Sequence, residues 1–364
     1  MTATPPPRDE PIVDYPLVNE ADAAAPTPLA QRLRSPRTIV SIIVPLGILV
    51  LLVIALPGFH LDQLPGNIEH ANPWWLLAAL AVYYLGFPLR GYRWSLLLRG
   101  AGTPIGVRDS TEIIFISWLV NCLVPAKLGD VYRAYLLRLN FVVSLSRTFG
   151  TVFIERIFDL FAIVLLGLAA GFWSFHNGLT PEVQILFAVG LVVVAALAIG
   201  LYTVRNFGQR IVDRLPLPAR IVEFYQRFEE GVFSIEARQV PLLALVTALI
   251  WATEAMRLYF VILALGFGLS IGASGAFFVA LIASLLTAIP FTPAGLGAVE
   301  FAIVGILTSL YGATQDQALA IAVVDRSISV LSVILFGSIA YVLSSKTRGR
   351  GGAAKVIESP ARST

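Results

Sequence analysis

Cysteine occurs once in the 364 residues and histidine three times. The lone thiol, Cys122, excludes an intramolecular disulfide and any cysteine-based metal cluster. His60, His70 and His176 fall in predicted loops. The spacing of His60 and His70 with Asp62 and Glu69 matches no known ligand motif, so they read as ordinary loop residues and no metal or other cofactor is expected. Charge is scarce too: charged residues make up 13% of the chain against 57% hydrophobic, with a mean hydropathy of +0.79. That balance excludes an ordinary soluble domain and gives no reason to expect a nucleic-acid partner; it places the chain among all-α polytopic membrane proteins. Once several spans of about 20 residues each are allotted, no soluble catalytic domain of about 100 residues fits. A GxxxxGK[ST] phosphate loop is also missing, so nucleotide hydrolysis does not drive whatever the protein does.

What is present divides the chain unevenly. Residues 1–38 hold eight prolines and five acids and lack the layout of a signal peptide, which predicts a disordered cytoplasmic tail. Uncharged runs long enough to span a bilayer occur at 38–60 (apolar core 39–56), 160–181, 183–204 and 327–345. Two more, 74–98 and 240–265, contain arginine. The apolar pieces 113–126, 277–290 and 301–311 are too short to cross and read as arms of two re-entrant hairpins. The expected architecture is therefore about six full transmembrane helices plus two re-entrant helical hairpins. Its first part covers 39–204, with a first repeat half over about 74–204. A cytoplasmic amphipathic linker follows at 205–238, a second half at 239–345 and a basic tail at 346–364.

The distribution of Lys and Arg fixes the expected orientation. With a cytoplasmic N-terminus, Arg32, Arg34, Arg37, Arg99, Arg108, Arg133, Arg138, Arg147, the six arginines from Arg205 to Arg238, and Lys346, Arg348 and Arg350 all fall inside, while the outer loops contain neither residue. Both termini are then cytoplasmic. In the linker, Ile221, Phe224, Tyr225 and Phe228 recur at helical spacing, which predicts a helix lying on the inner leaflet.

The two short broken stretches are spelled alike. Pro125 to Ala134, PAKLGDVYRA, and Pro293 to Ala302, PAGLGAVEFA, share six identities in ten at an offset of 168. Arg90 and Tyr92 recur as Arg257 and Tyr259 at an offset of 167, and the span beginning Glu155-Arg156 recurs as Asp325-Arg326 at 170. The orientation assigned from charge makes these halves antiparallel, so the repeat is an inverted one. Inverted repeats with broken helices at the bilayer middle belong to secondary transporters, and non-helical backbone at that depth persists only within protein or beside a wet cavity. The prolines and glycines, including Pro293, Gly295 and Gly297, read as breaks that offer backbone N–H groups and half-helix N-termini to an anion.

Glu254, Arg257, Asp325 and Arg326, if unpaired at the membrane centre, would cost on the order of 10 kcal/mol together, comparable to the net stability of a domain. They must be paired or hydrated. One reading pairs Glu254 with Arg257 and Arg156 with Asp159 within their own helices. The other turns the arginines into a shared cavity to bind phosphate, with the carboxylates as counter-ions or proton carriers. Recurrence of Glu155, Arg156, Arg257, Asp325 and Arg326 across the halves favours the second. Lys127 and Asp130 in the first break, and Glu300 in the second, are read as functional. Arg133 joins the candidates for substrate binding through the motif it closes, whereas Arg90 and Arg93 stand equally well as snorkelling residues near the inner interface. Trp74, Trp75, Tyr83 and Tyr84 read as interfacial anchors.

Arg90-x-x-Arg93-Trp94, Pro125-x-Lys-x-Gly-Asp-x-x-Arg133, Glu155-Arg156-x-x-Asp159 and Thr292-Pro-Ala-Gly-x-Gly-x-x-Glu300 together resemble the flippase-like membrane domain of the lysylphosphatidylglycerol synthase family, over about residues 38–345. The resemblance implies movement of a charged lipid headgroup between leaflets. Lys127 and Asp130 stand where that family's Arg and Glu are expected, and Ala294 where Gly is common; the charge signs are kept. No aminoacyl-transfer domain accompanies the membrane part, so lipid aminoacylation is not expected. The expectation is a translocator, not an enzyme, in the inner membrane of a prokaryote. It would move an anionic phosphate-bearing or polyprenyl-phosphate-type lipid, with a proton or other ion for coupling. The alternative is a membrane-embedded lipid-modifying enzyme, such as a polyprenyl-phosphate glycosyltransferase.

Overall fold

The computed structural model describes residues 69–348 apart from 125–126, 142, 176–180, 217, 268–270 and 287–291. The expected span at 39–56, the tail 1–38, Pro125, and the last tail beyond Arg348 lie outside the described residues. In chain order the helices are α1 (Pro73–Gly100), α2 (Val107–Leu123), α3 (Leu128–Asn140), α4 (Leu145–Ser174), α5 (Pro181–Arg214), α6 (Ala219–Val232), α7 (Val240–Leu265), α8 (Ala273–Leu286), α9 (Ala298–Tyr311), α10 (Gln315–Arg326) and α11 (Ser332–Leu343). No extended strand occurs among the described residues. The protein is an all-α polytopic membrane protein, with Phe187–Arg214, Ala237–Leu265, Pro293–Tyr311 and Gln315–Leu343 each long and apolar enough to cross a bilayer. The third of these is interrupted by positive φ angles at Ala294, Gly295 and Gly297. Helix α9 proper therefore has 14 residues, about 21 Å at 1.5 Å per residue, short of a hydrocarbon core about 30 Å thick.

Helix starts follow local chemistry. Asn72 accepts the Trp74 N–H at 2.9 Å with Pro73 at the first helical position, the arrangement that satisfies an otherwise orphaned donor. Thr314 and Gln317 cap α10 reciprocally, hydroxyl to N–H and side-chain amide to N–H. A π-helical turn, Ser327–Leu331, joins α10 to α11. The chain is thus helical from Gln315 to Leu343, twelve residues earlier than the apolar run at 327 suggests. Helix α4 likewise begins fifteen residues before the expected 160, and α5 continues ten residues past 204 to stop ahead of Pro216 and Pro218. In α4 and α10 hydropathy misses the start because the charges there are buried in pairs.

Contacts between helix ends fix directions. At one end of the bundle the Asn72 N–H donates to Ala264 O at 2.8 Å, and the Ser174 and Tyr311 hydroxyls meet at 2.8 Å. At the other, Asn140 Nδ2 donates to Lys346 O at 2.8 Å, Lys346 pairs with Asp109 at 3.0 Å, and Arg147 pairs with Glu230. Helices α1 and α7 therefore run oppositely, as do α4 and the α10–α11 unit. The helix–break–helix hairpin α2–α3 opens on the Asn140 end and α8–α9 on the Tyr311 end. Lys346 is buried in this packing, so the start of the basic tail is part of the fold.

Helix α6 departs from the expected surface helix. Val232 is buried and Phe228 packs on the core, and α6 crosses α4 where a Cβ on Gly150 would collide with Phe228 O and one on Gly231 with Arg147 O. Two glycines let the backbones touch; only Ile221 and Phe224 of the apolar set stay exposed.

Candidate functional site

A cavity of about 150 Å³ lies inside the bundle, walled by α1, α2, α4, α7, α8, α9, α10 and both breaks. Eleven of the residues singled out from sequence line it: Arg90, Arg93, Lys127, Glu155, Arg156, Asp159, Glu254, Arg257, Gly295, Asp325 and Arg326. The other five stand behind them. Asp130, Arg133 and Glu300 hold lining residues in place, and Pro293 and Gly297 shape the second break.

Each guanidinium is held by acids from other helices. Arg93, 1% exposed, donates to Asp159 Oδ1 at 2.7 Å, Glu155 Oε1 at 2.8 Å and Thr247 Oγ1 at 3.0 Å. Arg90 donates to Glu254 Oε1 at 2.6 Å. Arg257 takes both oxygens of Asp325, Nε at 2.8 Å and Nη2 at 3.1 Å, and also pairs with Glu254. These contacts correct the snorkelling alternative for Arg90 and Arg93: both point into the bundle because carboxylates there replace water. Both intrahelical pairs exist, Glu254 with Arg257 and Arg156 with Asp159 at 3.6 Å, but each arginine also bridges to a different helix.

The two breaks use one design. Arg156 grips Asp130, Nη2 to Oδ1 at 2.7 Å and Nε to Oδ2 at 3.0 Å. Arg326 grips Glu300, Nε to Oε1 at 2.8 Å, and donates to Ala294 O at 2.6 Å. In both, the arginine of the acid–Arg pair stands 26 residues after its acid. Lys127 and Ala294, each at φ 51°, are the non-glycine residues with positive φ among the described residues, a conformation that costs roughly 1–2 kcal/mol without glycine. The sequence reading of free half-helix N-termini needs correction here. The Gly129 N–H is already taken by Asn121 Oδ1 at 2.9 Å and the Gly297 N–H by Glu300 Oε2 at 2.6 Å, so part of each N-terminus is capped by the protein itself.

Arg133 is buried beneath the site. It donates to Glu155 Oε2 at 3.1 Å and stacks on Trp94, 4.7 Å from the ring centroid. That geometry braces Glu155 from below. Tyr83, expected at an interface, is fully buried below Arg257, 5.0 Å from its guanidinium; its hydroxyl donates to Ser329 O in the π turn at 3.0 Å. Trp74 is exposed, as an anchor should be.

Sequence reasoning missed Trp118, Asn121, Trp251, Thr292 and Ser329, all of which line the cavity. Trp251 donates to Asp159 Oδ1 at 3.0 Å. The available signal was spacing: Trp118, Asn121 and Cys122 lie on the one face of α2 that leads to the break. Among the described residues no group of His, Cys, Asp and Glu could hold a metal, and His60, Asp62 and His176 lie outside them.

Comparison with known proteins gives this constellation a lineage. The chain is 38% identical over 226 residues to a UPF0104 membrane protein of Methanocaldococcus jannaschii, covering 62% of this chain and 93% of that protein. It is 27% identical over 343 residues to the glycosyltransferase AglD of Haloferax volcanii, covering 82% of this chain but 53% of that longer protein. A UPF0104 membrane protein of Methanothermobacter thermautotrophicus matches at 27% over 317 residues, 80% of this chain and 92% of its own. The family model described as the lysylphosphatidylglycerol synthase TM region matches residues 39–337, and the chain belongs to that family.

Proposed function

We propose that the protein translocates an anionic, phosphate-bearing lipid between leaflets, without nucleotide, by rocking two inverted structural halves about the central cavity. One observation carries the reading. Arg90, Arg93, Lys127, Arg133, Arg156, Arg257 and Arg326 face Asp130, Glu155, Asp159, Glu254, Glu300 and Asp325. Every carboxylate in that set has an arginine partner, and Lys127 has no carboxylate within 4.0 Å among the described residues. Seven cations against six acids leave one positive charge at the mouth of a half-helix, where a negative headgroup is favoured twice over. The carboxylates act as stand-ins for the headgroup: as the phosphate enters, arginine forks exchange partners, and a proton or other ion travels on a released acid. Basic residues at the Asn140 end, such as Arg99, Arg138 and Arg147, support placing that end in the cytoplasm. On this reading the protein is a multi-pass component of a prokaryotic inner membrane with both termini inside.

The likeness to the Haloferax glycosyltransferase favours a second reading, a membrane-embedded glycosyltransferase acting on a polyprenyl phosphate. Such chemistry wants a carboxylate free to take a proton. Each acid around this cavity is instead held by arginine.

Reconstituted vesicles carrying a fluorescent phosphatidylglycerol test the proposal. Lys127→Met removes the uncompensated charge without breaking an ion pair among the described residues. The expected result is a drop in flipping of about tenfold, the scale of one lost charge-assisted contact, with thermal stability unchanged. Flipping at the wild-type rate in both Lys127→Met and Arg257→Ala would falsify the mechanism, and product formed from a sugar-phosphate donor would establish the rival.

A further inference from the structure

A second concavity, outside the cavity just described, runs between α1, α2 and α11. This open groove of about 1080 Å³ is floored by Tyr84, Phe87, Phe115 and Phe336, with Arg108, Glu112, Ser344 and Ser345 at one end. Its lining is thus graded from aromatic to polar along its length. The polar end combines two independent attractions for an anion. Arg108 is exposed and has no ion pair among the described residues; its neighbour Asp109 is paired with Lys346, while Glu112 keeps its charge and is turned to the Ser344 hydroxyl. Arg108 also stands in the first turn of the 17-residue α2, where the helix dipole favours negative charge.

The aromatic end leads inward. Ring contacts step from Phe336 to Tyr84 at 5.7 Å, Tyr84 to Phe115 at 5.9 Å, Phe115 to Phe87 at 4.8 Å and Phe87 to Trp118 at 5.5 Å. Phe87 faces the groove and Trp118 faces the charged cavity. Arg90 rests on both, 5.6 Å from the Phe87 centroid and 4.6 Å from the Trp118 centroid, and its buried Nη1 has no hydrogen-bond partner. One layer of rings therefore separates the groove from a guanidinium with a spare donor. Behind that layer both flanking helices depart from regular α geometry: Pro88 removes a backbone hydrogen bond from α1, and the π turn shifts the bonding of the α10–α11 unit to an i→i+5 register.

We propose that this groove is a docking site for an anionic glycerophospholipid drawn sideways from the bilayer, its phosphate at Arg108 and one acyl chain along Phe115 and Phe336. The Phe87–Trp118 contact is the partition it must pass to reach Arg90. The docking rests on the groove alone; passage beyond the partition rests on the translocation reading.

The test uses the full-length protein in phosphatidylcholine vesicles containing phosphatidylglycerol with a diazirine on one acyl chain. Adducts are mapped after irradiation, with the lipid-exposed α5 as the internal reference for non-specific contact. Adducts are expected to concentrate at Phe115, Phe336 and Ala340. Arg108→Ala should lower them about two- to fivefold, as suits an exposed charge pair, and Ala340→Trp should lower them to the level of α5. Lys127→Met should leave them unchanged, since it alters the central cavity without breaking an ion pair among the described residues; reduced flipping in that variant with retained adducts separates the two proposals. Phe87→Ala should extend adducts to Trp118 and Asn121. Groove labelling no denser than that of α5, or unmoved by Arg108→Ala and Ala340→Trp, overturns the docking site. Adducts that still stop at Phe115 in Phe87→Ala overturn the partition.

Discussion

Arg257 closes on both carboxylate oxygens of Asp325, 2.8 and 3.1 Å away, and thereby ties α7 to α10. Both residues are buried. The pair is a bidentate fork, the geometry in which arginine recognises carboxylate and phosphate alike. On the proposed function, the fork is a receptor already shaped for phosphate and occupied by an internal carboxylate.

Breaking that pair from one side should be worse than removing it. Arg257→Ala leaves Asp325 charged in a buried site and should cost about 3–5 kcal/mol, whereas Arg257→Met combined with Asp325→Leu should recover most of that loss. Thermal unfolding in detergent measures both. The double variant should still fail to flip lipid, because the fork is gone. A double variant no more stable than Arg257→Ala would remove the pairing from the account of stability.

The first hairpin depends on a close approach. A Cβ on Gly129 would collide with the Ser117 carbonyl and the Asn121 side chain, and the Gly129 N–H is held by that same asparagine. Gly129→Ala should force α3 away from α2 and cost about 1–3 kcal/mol. Asn121→Ala, which only orphans the N–H, should cost about 1 kcal/mol. Equal losses would mean that the cap, not the crossing, sets the geometry.

The sequence disclosed the breaks more readily than the pairings. Proline, glycine and charge inside apolar runs stand out, so the matched motifs at Pro125 and Pro293 and the acid–Arg pairs at Glu155 and Asp325 could be found by spelling alone. Which arginine meets which acid depends on how helices cross. Arg90 reaches Glu254 across 164 positions, a distance that no local spacing encodes. The starts of α4 and α10 were hidden for a related reason: a hydropathy window counts Glu155 or Asp325 as polar, although in the fold each is neutralised. Trp118 and Trp251 look like any apolar residues of a span, and only the position of the cavity makes them part of the site.

At the α4–α6 crossing, backbone proximity should outweigh charge. Arg147 and Glu230 pair across it, but both are exposed, so Arg147→Ala should change stability by no more than about 1 kcal/mol. Gly150→Ala, which pushes Phe228 O and Gly231 away, should release α6. Limited proteolysis after Arg227, compared between the two variants, reads this directly. Faster cleavage in Arg147→Ala than in Gly150→Ala would reverse the order of importance.

Cys122 gives access to the state of the cavity because it is the sole thiol, lines the site and is buried. Trp118 precedes it by one helical turn on the same face of α2, so the indole stands beside the thiol in the cavity wall. With the thiol buried, a small membrane-impermeant maleimide should react slowly. The hairpin carrying Cys122 opens on the Asn140 end, so whatever reaction occurs should come from the side of the membrane that holds that end. Trp118→Ala removes part of the wall and should speed labelling from that side alone. Substrate lipid should speed it in the wild type if partner exchange among the arginines opens the cavity, and the Lys127→Met variant should show no such response. Labelling that is fastest from the Tyr311 end would reverse the direction assigned to the first hairpin. A rate indifferent to Trp118→Ala would mean that the reagent reaches the thiol by a route other than the cavity.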